Sequence, residues 1–260
     1  MLLLDQLKRQ LHFEDTPKRI ISLVPSQTEL LVDLGLEASI VGVTKFCVHP
    51  KHLRKSKAIV GGTKQIKVEK IKALQPDIIL CNKEENSKEI IEELEFITPV
   101  HISDIYNLDD CYELINMYGA LFRVEDKASA LIENIQNEHA DFQLKIKDKK
   151  HLKVAYFIWK NPWMIAASET FIGCMLEEAC FQNVFENAKR YPEIDLNNER
   201  LKQADMIFLS SEPYPFKERH ISDLKLQFPE KTIKIVDGEL FSWYGSRLLK
   251  SFDYFESLYT

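Results

Sequence analysis

The sequence predicts an α/β chain: two lobes of mostly parallel sheet joined by one long helix. Three observations lead there. Apolar, strand-like runs alternate with amphipathic helical ones along most of the chain, the pattern of parallel sheets covered by helices. A helical run from Val124 to Lys149 near the middle contains neither Gly nor Pro. A helix–strand unit also recurs on either side of it. Val68-Glu69-Lys70-Ile71-Lys72 followed by Asp77-Ile78-Ile79-Leu80 resembles Asn198-Glu199-Arg200-Leu201-Lys202 followed by Asp205-Met206-Ile207-Phe208, with a two-residue gap.

The residues up to Phe13 read as a short ribbon. Arg19–Val24 reads as a buried strand ended by Pro25. Ser26 is placed to cap a helix over Gln27–Leu34, with Glu29 completing a capping box and Gly35 as the stop. A strand over Ser39–Val43, a helix over Val68–Leu74 and a strand over Asp77–Cys81 follow. A helix ending near Phe96, a strand over Pro99–Ile102 and a helix over Leu108–Phe122 complete the first half. In the long run, Ala128, Leu131, Ile132, Ile135, Ala140, Phe142 and Ile146 approximate one apolar face. Acidic residues open it and lysines close it, as the helix dipole favours. The pattern then restarts: strands over Leu152–Trp159, Asp205–Leu209 and Thr232–Val236, and helices over Phe171–Ala179, Glu199–Gln203, Lys217–Leu226 and Ser246–Leu258. The expected division is a lobe over residues 1–123, a linking helix over 124–150 and a lobe over 151–260.

Composition narrows the functional classes. A net charge of -6 over 260 residues argues against a nucleic-acid partner and offers no basic face to anionic lipid. No apolar run approaches the ~18 residues of a membrane span. Met1-Leu2-Leu3-Leu4 runs straight into Asp5, Gln6 and Lys8. As written the chain therefore shows no export signal, and the expectation on that ground is a cytoplasmic location; a monomer is expected as well. The five cysteines (Cys47, Cys81, Cys111, Cys174, Cys180) are odd in number and include no CxxC, as in a reducing compartment without a zinc site.

Ligands of open α/β sheets sit beyond the C-terminal strand ends, so the loops there carry the candidates. They hold all three tryptophans: Trp159 and Trp163 after one strand, and Trp243 beside Tyr244 in a polar loop that ends at Arg247. Aromatic walls with a few polar groups suit a large, flat or partly apolar ligand. Strand-end packing is the competing reading for Trp159 and Trp163. Phe46, Cys47 and His49 follow another strand. Cys47 and His49 are candidate ligands for one soft metal ion, with Glu84 or Glu85 from a neighbouring loop. The other reading of that pair is a packed thiol and a solvated imidazole. The chain has no G-x-S-x-G elbow, no G-x-G-x-x-G and no phosphate-binding G-x-x-x-x-G-K-[ST], so no reaction is named.

The run Arg19-Ile20-Ile21-Ser22-Leu23-Val24-Pro25-Ser26-Gln27-Thr28-Glu29-Leu30-Leu31 resembles the opening of the helical-backbone metal receptor family. Val41-Gly42-Val43-Thr44, Val60-Gly61-Gly62-Thr63, and Glu69 with Ile71, Leu74, Pro76, Asp77 and Ile78 extend the likeness. These are class III substrate-binding proteins of ABC importers for cobalamin, haem and iron–siderophores, and the nearest branch binds cobalamin. The resemblance implies two Rossmann-like lobes bridged by the long helix, with a corrinoid, haem or metal chelate held between them and no cofactor required. It implies an ABC permease as partner, docked through Glu69 and Glu199, and a periplasmic or cell-surface location. The ligand contacts expected are Phe46, His49, Trp159, Trp163, Trp243, Tyr244 and Arg247. The alternative is a cytoplasmic metal-handling protein or enzyme on the same scaffold, with Cys47, His49, Lys83, Glu84 and Asp237 as a polar or metal site. An interaction protein with a degenerate cleft is a third reading.

Overall fold

A ribbon comes first. β1 (Leu2–Leu4) pairs antiparallel with β2 (Gln10–His12), and the buried Asp5 ties the turn between them. Its carboxylate accepts from the N–H groups of Leu7 (3.0 Å) and Arg9 (2.9 Å) and from Arg9 Nε (2.7 Å). It also takes the Ile102 N–H at 3.3 Å, so the ribbon covers what would otherwise be an open sheet edge. The computed structural model describes residues 1–259, and the chain divides into two units.

Unit 1 comprises Met1–Ile105, Asp109–Gln136 and Tyr244–Arg247. Its sheet is built from β3 (Ile20–Ser22), β4 (Ile40–Val43), β5 (Ala58–Ile59), β6 (Ile78–Asn82) and β7 (Val100–Ser103), all parallel, in the order β5-β4-β3-β6-β7. Its inner strands are buried on both faces, which explains their unbroken apolar runs. Helices α1 (Pro25–Asp33), α2 (Leu53–Ser56), α3 (Val68–Ala73), α4 (Lys88–Glu95) and α5 (Leu108–Phe122) connect and cover the strands. The order reverses at β3: β4 and β5 lie to one side, and α3 carries the chain back to β6 on the other. Asp77 fixes that return. Its carboxylate accepts from the Lys18 and Arg19 N–H groups at 2.8 and 2.9 Å, and its own N–H donates to Arg19 O at 2.8 Å. The Arg19 guanidinium donates to Leu74 O and Gln75 O, closing the C-terminal end of α3.

One local expectation fails here. α1 starts at Pro25 with Val24 as its N-cap, and no side chain caps it. Ser26 lies inside the first turn, and Glu29 turns away to Arg247, so the capping box does not form. Proline favours the first helical position because its missing N–H is not needed there, which moves the start two residues upstream. Gly35 ends the helix as expected, at φ 81°, with its N–H donated to Val32 O and that of Leu36 to Leu31 O.

The long helix α6 (Glu125–Ile146) gives its residues to Gln136 to unit 1 and the rest to unit 2. Ala128, Ile135, Phe142 and Ile146 are buried, with Leu131 and Ile132 partly so. Ala140 is exposed and His139 takes the inward place, stacked on Phe252 at 5.1 Å between centroids. Continuing the three–four spacing from Ile135 selects position 139, not 140.

Unit 2 comprises Tyr106–Leu108, Asn137–Trp243 and Leu248–Thr260. Its strands are β8 (Leu152–Trp159), β9 (Met164–Ile165), β10 (Phe181–Asn183), β11 (Met206–Ser210) and β12 (Thr232–Val236). The parallel order is β10-β8-β11-β12, and β9 pairs antiparallel with β8. The helices are α7 (Phe171–Glu178), α8 (Glu199–Gln203), α9 (Glu218–Gln227), α10 (Gly238–Ser242) and α11 (Leu248–Ser257). α8 is the return crossover, from β10 past β8 to β11. Asp205 repeats the role of Asp77: its carboxylate accepts the Lys153 N–H at 2.8 Å, and its N–H donates to Lys153 O at 2.7 Å.

The sequence expectation put residues 151–260 in one lobe. Tyr244–Arg247 instead groups with unit 1. Its polar groups bond there: the Tyr244 hydroxyl with Gln27, the Gly245 N–H with Cys111 Sγ, and Arg247 with Glu29.

Candidate functional site

In unit 1 the strand ends meet a buried polar network centred on Gln27. Its Oε1 accepts from Tyr118 Oη at 2.6 Å, and its Nε2 donates to Ser103 Oγ at 2.6 Å and Tyr244 Oη at 2.9 Å. Burial pushes the Tyr118 and Tyr244 phenols well up, so both stay neutral donors and acceptors. Two residues further along α1, the buried Glu29 receives Arg247 through two parallel bonds, Nε–Oε2 at 2.7 Å and Nη2–Oε1 at 3.0 Å. In the loop after β4, Phe46 stays 49% exposed, with Lys45 Nζ 4.9 Å from its ring centre. A Cβ at Gly62 would lie 3.1 Å from that ring. The glycine thus lets the ring lie close against the next loop.

In unit 2, Trp159 ends β8 and is 39% exposed, edge-on to Tyr214 at 5.5 Å. Trp163 stacks on Phe216 at 6.1 Å, beneath Lys160 Nζ at 5.3 Å. Glu212, after β11, accepts from Trp243 Nε1 (2.8 Å) and Ser242 Oγ (3.1 Å). Burial raises its pKa, and those two hydrogen bonds oppose the charges of Glu239 and Asp237. Gly238 makes this close approach feasible, since a Cβ there would meet Ser210 Oγ at 2.4 Å and Glu212 Cγ at 2.7 Å.

The structure thus sorts the seven expected ligand contacts. Phe46 and Trp159 present open rings, while Trp163 and His49 are half-buried. Trp243, Tyr244 and Arg247 are buried, each committed to Glu212, Gln27 or Glu29. The polar composition of their loop is misleading: its small residues pack around large buried side chains, and residues 238–242 form α10 rather than open loop. Cys47 is a sealed core thiol. Thr28 and Thr44 hydroxyls lie 3.1 and 3.2 Å from its sulfur, and burial raises its pKa. Among the described residues no three His, Cys, Asp or Glu groups converge on a metal position. Cys47 thus sits as a packed thiol, with a half-buried imidazole at His49. Gln27 and Glu212 lie in strand-end segments that the sequence marks, without a role for either, and Tyr118 and Ser103 are not singled out from sequence. Of these last two, only Ser103 has a strand-end position that could have marked it.

Glu69 and Glu199 sit in matching frames. Each stands in the first turn of a return crossover helix, strongly exposed, paired with the lysine three residues on: Lys72 at 2.9 Å and Lys202 at 2.6 Å. Lys231 matches Arg19, donating from Nζ to Lys202 O (2.9 Å) and Ala204 O (2.7 Å) at the end of α8. Unit 2 also holds a cavity of about 560 Å³ beside α7 and β10, lined by none of the expected ligand contacts. No helix of the described residues is long and apolar enough to cross a membrane.

Comparison with known proteins places this arrangement. Residues 20–230 match the model of a family described as periplasmic binding protein. An uncharacterized ABC transporter substrate-binding lipoprotein of Bacillus subtilis (strain 168), YvrC, is 31% identical over 180 residues, 66% of this chain. The chain spans 57% of that relative's length. The vitamin B12-binding protein of Pectobacterium atrosepticum is 24% identical over 242 residues, covering 90% of this chain and 85% of its own. Among solved structures, a possible iron-binding (periplasmic solute-binding) protein from Staphylococcus epidermidis superposes with a TM-score of 0.81 at 22% identity, over 95% of this chain and 100% of that one. That last likeness is one of fold. The chain belongs to the periplasmic binding protein family.

Proposed function

We propose that this chain is the substrate-binding component of an ABC importer, acting at the periplasmic or outer cell surface, and that its ligand is a corrinoid, a haem or an iron chelate. The observation that carries the ligand class is the pair of open rings, Phe46 after β4 and Trp159 at the end of β8, each with a lysine as its chain neighbour. Each ring suits a flat apolar ligand face, and the lysine beside it suits an acidic or amide side group. His49 and Trp163 lie within the same loops as half-buried contacts, and α6 links the two units. Trp243, Tyr244 and Arg247 are the buried partners of Glu212, Gln27 and Glu29. Glu69 and Glu199 dock on the permease. Two exposed carboxylates on equivalent rigid helix starts provide a two-point electrostatic contact. The Cys/His/acidic alternative lacks a converging donor set among the described residues and is not carried further.

Titration of the purified chain with cyanocobalamin, haemin and a ferric siderophore, followed by tryptophan fluorescence, tests the reading. One of the three is expected to bind at micromolar concentration or tighter. Phe46→Ala and Trp159→Ala are expected to weaken it by roughly 5–30-fold each, the loss of one stacked aromatic contact. If none of the three binds, the ligand class is wrong.

A further inference from the structure

The first turn of α1 is buried and has no cap. Thr28 donates its N–H to Val24 O at 3.0 Å, but the N–H groups of Ser26 and Gln27 reach no acceptor among the described residues. Val24 contributes no side-chain oxygen, and no acidic residue stands in the turn. Ser26 is only 3% exposed, and its Oγ has no hydrogen-bond partner. It approaches the Tyr244 phenol and acts to lower its pKa, at a geometry short of an ordinary hydrogen bond. The Cα–Cβ bond of a helical residue leans toward the N-terminus, which brings the Ser26 side chain to the end of the helix where the two N–H groups emerge. Buried donors without acceptors are costly, and a helix N-terminus adds positive potential to them. The turn also lies at the C-terminal end of β3, where the strand order reverses, the usual ligand position in an open α/β sheet.

We propose that this turn is an oxyanion site, taking a carboxylate or phosphate oxygen on Ser26 Oγ and the N–H groups of Ser26 and Gln27. Where the oxyanion is an acid group of the bound ligand, the proposal rests on the ligand-binding reading above. Where it is a free inorganic ion, it stands without that reading. Glu85 lies near enough to push the Tyr244 phenol up, so the anion is held against a neighbouring carboxylate and the donors must outweigh it.

Residues 21–30 are all buried, so the first probes are small: inorganic phosphate and sulfate, against chloride at equal ionic strength, read by thermal denaturation and calorimetry of the full chain. Saturable stabilisation by phosphate or sulfate is expected. Ser26→Ala, which keeps a good helix former in place, is expected to weaken it about tenfold through loss of a charge-assisted hydrogen bond. Glu85→Gln is expected to tighten it. A second arm compares haemin with its dimethyl ester. A preference for haemin that Ser26→Ala abolishes assigns the oxyanion to the ligand. Anion binding without any haemin, corrinoid or siderophore binding upholds the site and removes the ligand reading. The proposal is overturned if neither phosphate nor sulfate acts beyond chloride, or if Ser26→Ala responds as the parent does.

Discussion

The two units share a crossover frame and differ at the strand ends beside it. In each, a short helix with an exposed glutamate returns the chain across its sheet, an aspartate pins the next strand to its neighbour, and a basic side chain closes the helix. α3, Asp77 and Arg19 play these parts in unit 1; α8, Asp205 and Lys231 play them in unit 2. At the strand ends the likeness stops. In unit 1, β3 runs directly into α1, whose buried polar residues are met by Tyr244–Arg247 from far along the chain. In unit 2, β8 ends at Trp159 and runs into an open turn bearing Trp163. The frame is therefore a local device that works twice, while the strand ends are where each unit has become specific.

The sharpest way to break the comparison is to remove what only unit 1 has. Arg247→Met leaves the Glu29 carboxylate in the interior without its bidentate partner, the two bonds of 2.7 and 3.0 Å being lost. Breaking one side of a buried ion pair costs about 3–5 kcal/mol. Urea denaturation should show that loss. A change below about 1 kcal/mol would mean that water reaches Glu29 and that the segment does not hold unit 1 together.

Each unit also buries one histidine. His220 in unit 2 is spoken for: its Nδ1 accepts the Lys217 N–H at 2.8 Å at the start of α9. His101 on β7 has no hydrogen-bond partner on either nitrogen and packs edge-on to Tyr118 at 5.4 Å. Burial lowers its pKa from 6.5 to about 4, with Arg9 adding to the effect and Asp5 opposing it. Since the folded value is the lower one, the unfolded chain takes up the proton first. The stability is complete above pH 6.5 and is lost progressively as pH falls toward 4, by about 3 kcal/mol in all. His101→Phe, which preserves the edge contact, should flatten most of the decline in urea midpoint between pH 7 and pH 5. An unchanged decline would place the acid sensitivity elsewhere.

Sequence reading did well wherever the information was local. Leu152–Trp159, Glu199–Gln203 and Thr232–Val236 have the predicted bounds, because apolar runs and helix starts are written in neighbouring residues. The Asp77 and Asp205 repeat was visible for the same reason. The errors are non-local. Ser26 and Glu29 spell a capping box, but Pro25 starts the helix early, and Glu29 is claimed by a residue 218 positions away. Trp243, Tyr244 and Arg247 look like an open binding loop until the groups that bury them are known. Cys47 and His49 look like a ligand pair until Thr28 and Thr44 close around the thiol. The strands β5, β9 and β10 span only two or three residues, too few for a period to show.

The smallest expected effect tests the shared frame itself. Lys231 and Arg19 do the same work at helix ends, but Lys231 is buried and Arg19 is exposed. The Lys231 ammonium makes two bonds to carbonyls that water cannot replace, so Lys231→Met should cost about 2 kcal/mol, the range of hydrogen bonds to a charged group. Arg19→Met opens carbonyls that solvent can reach, and should cost about 1 kcal/mol or less. Hydrogen exchange separates a helix-closing role from a general loss of stability. In Lys231→Met the amides of residues 199–204 should exchange faster relative to β11, and in Arg19→Met those of residues 69–74 relative to β6. Equal costs for the two variants would mean that burial does not distinguish the two frames. Uniform acceleration across either unit would mean that the basic side chain supports the sheet as a whole rather than the helix that presents Glu69 or Glu199.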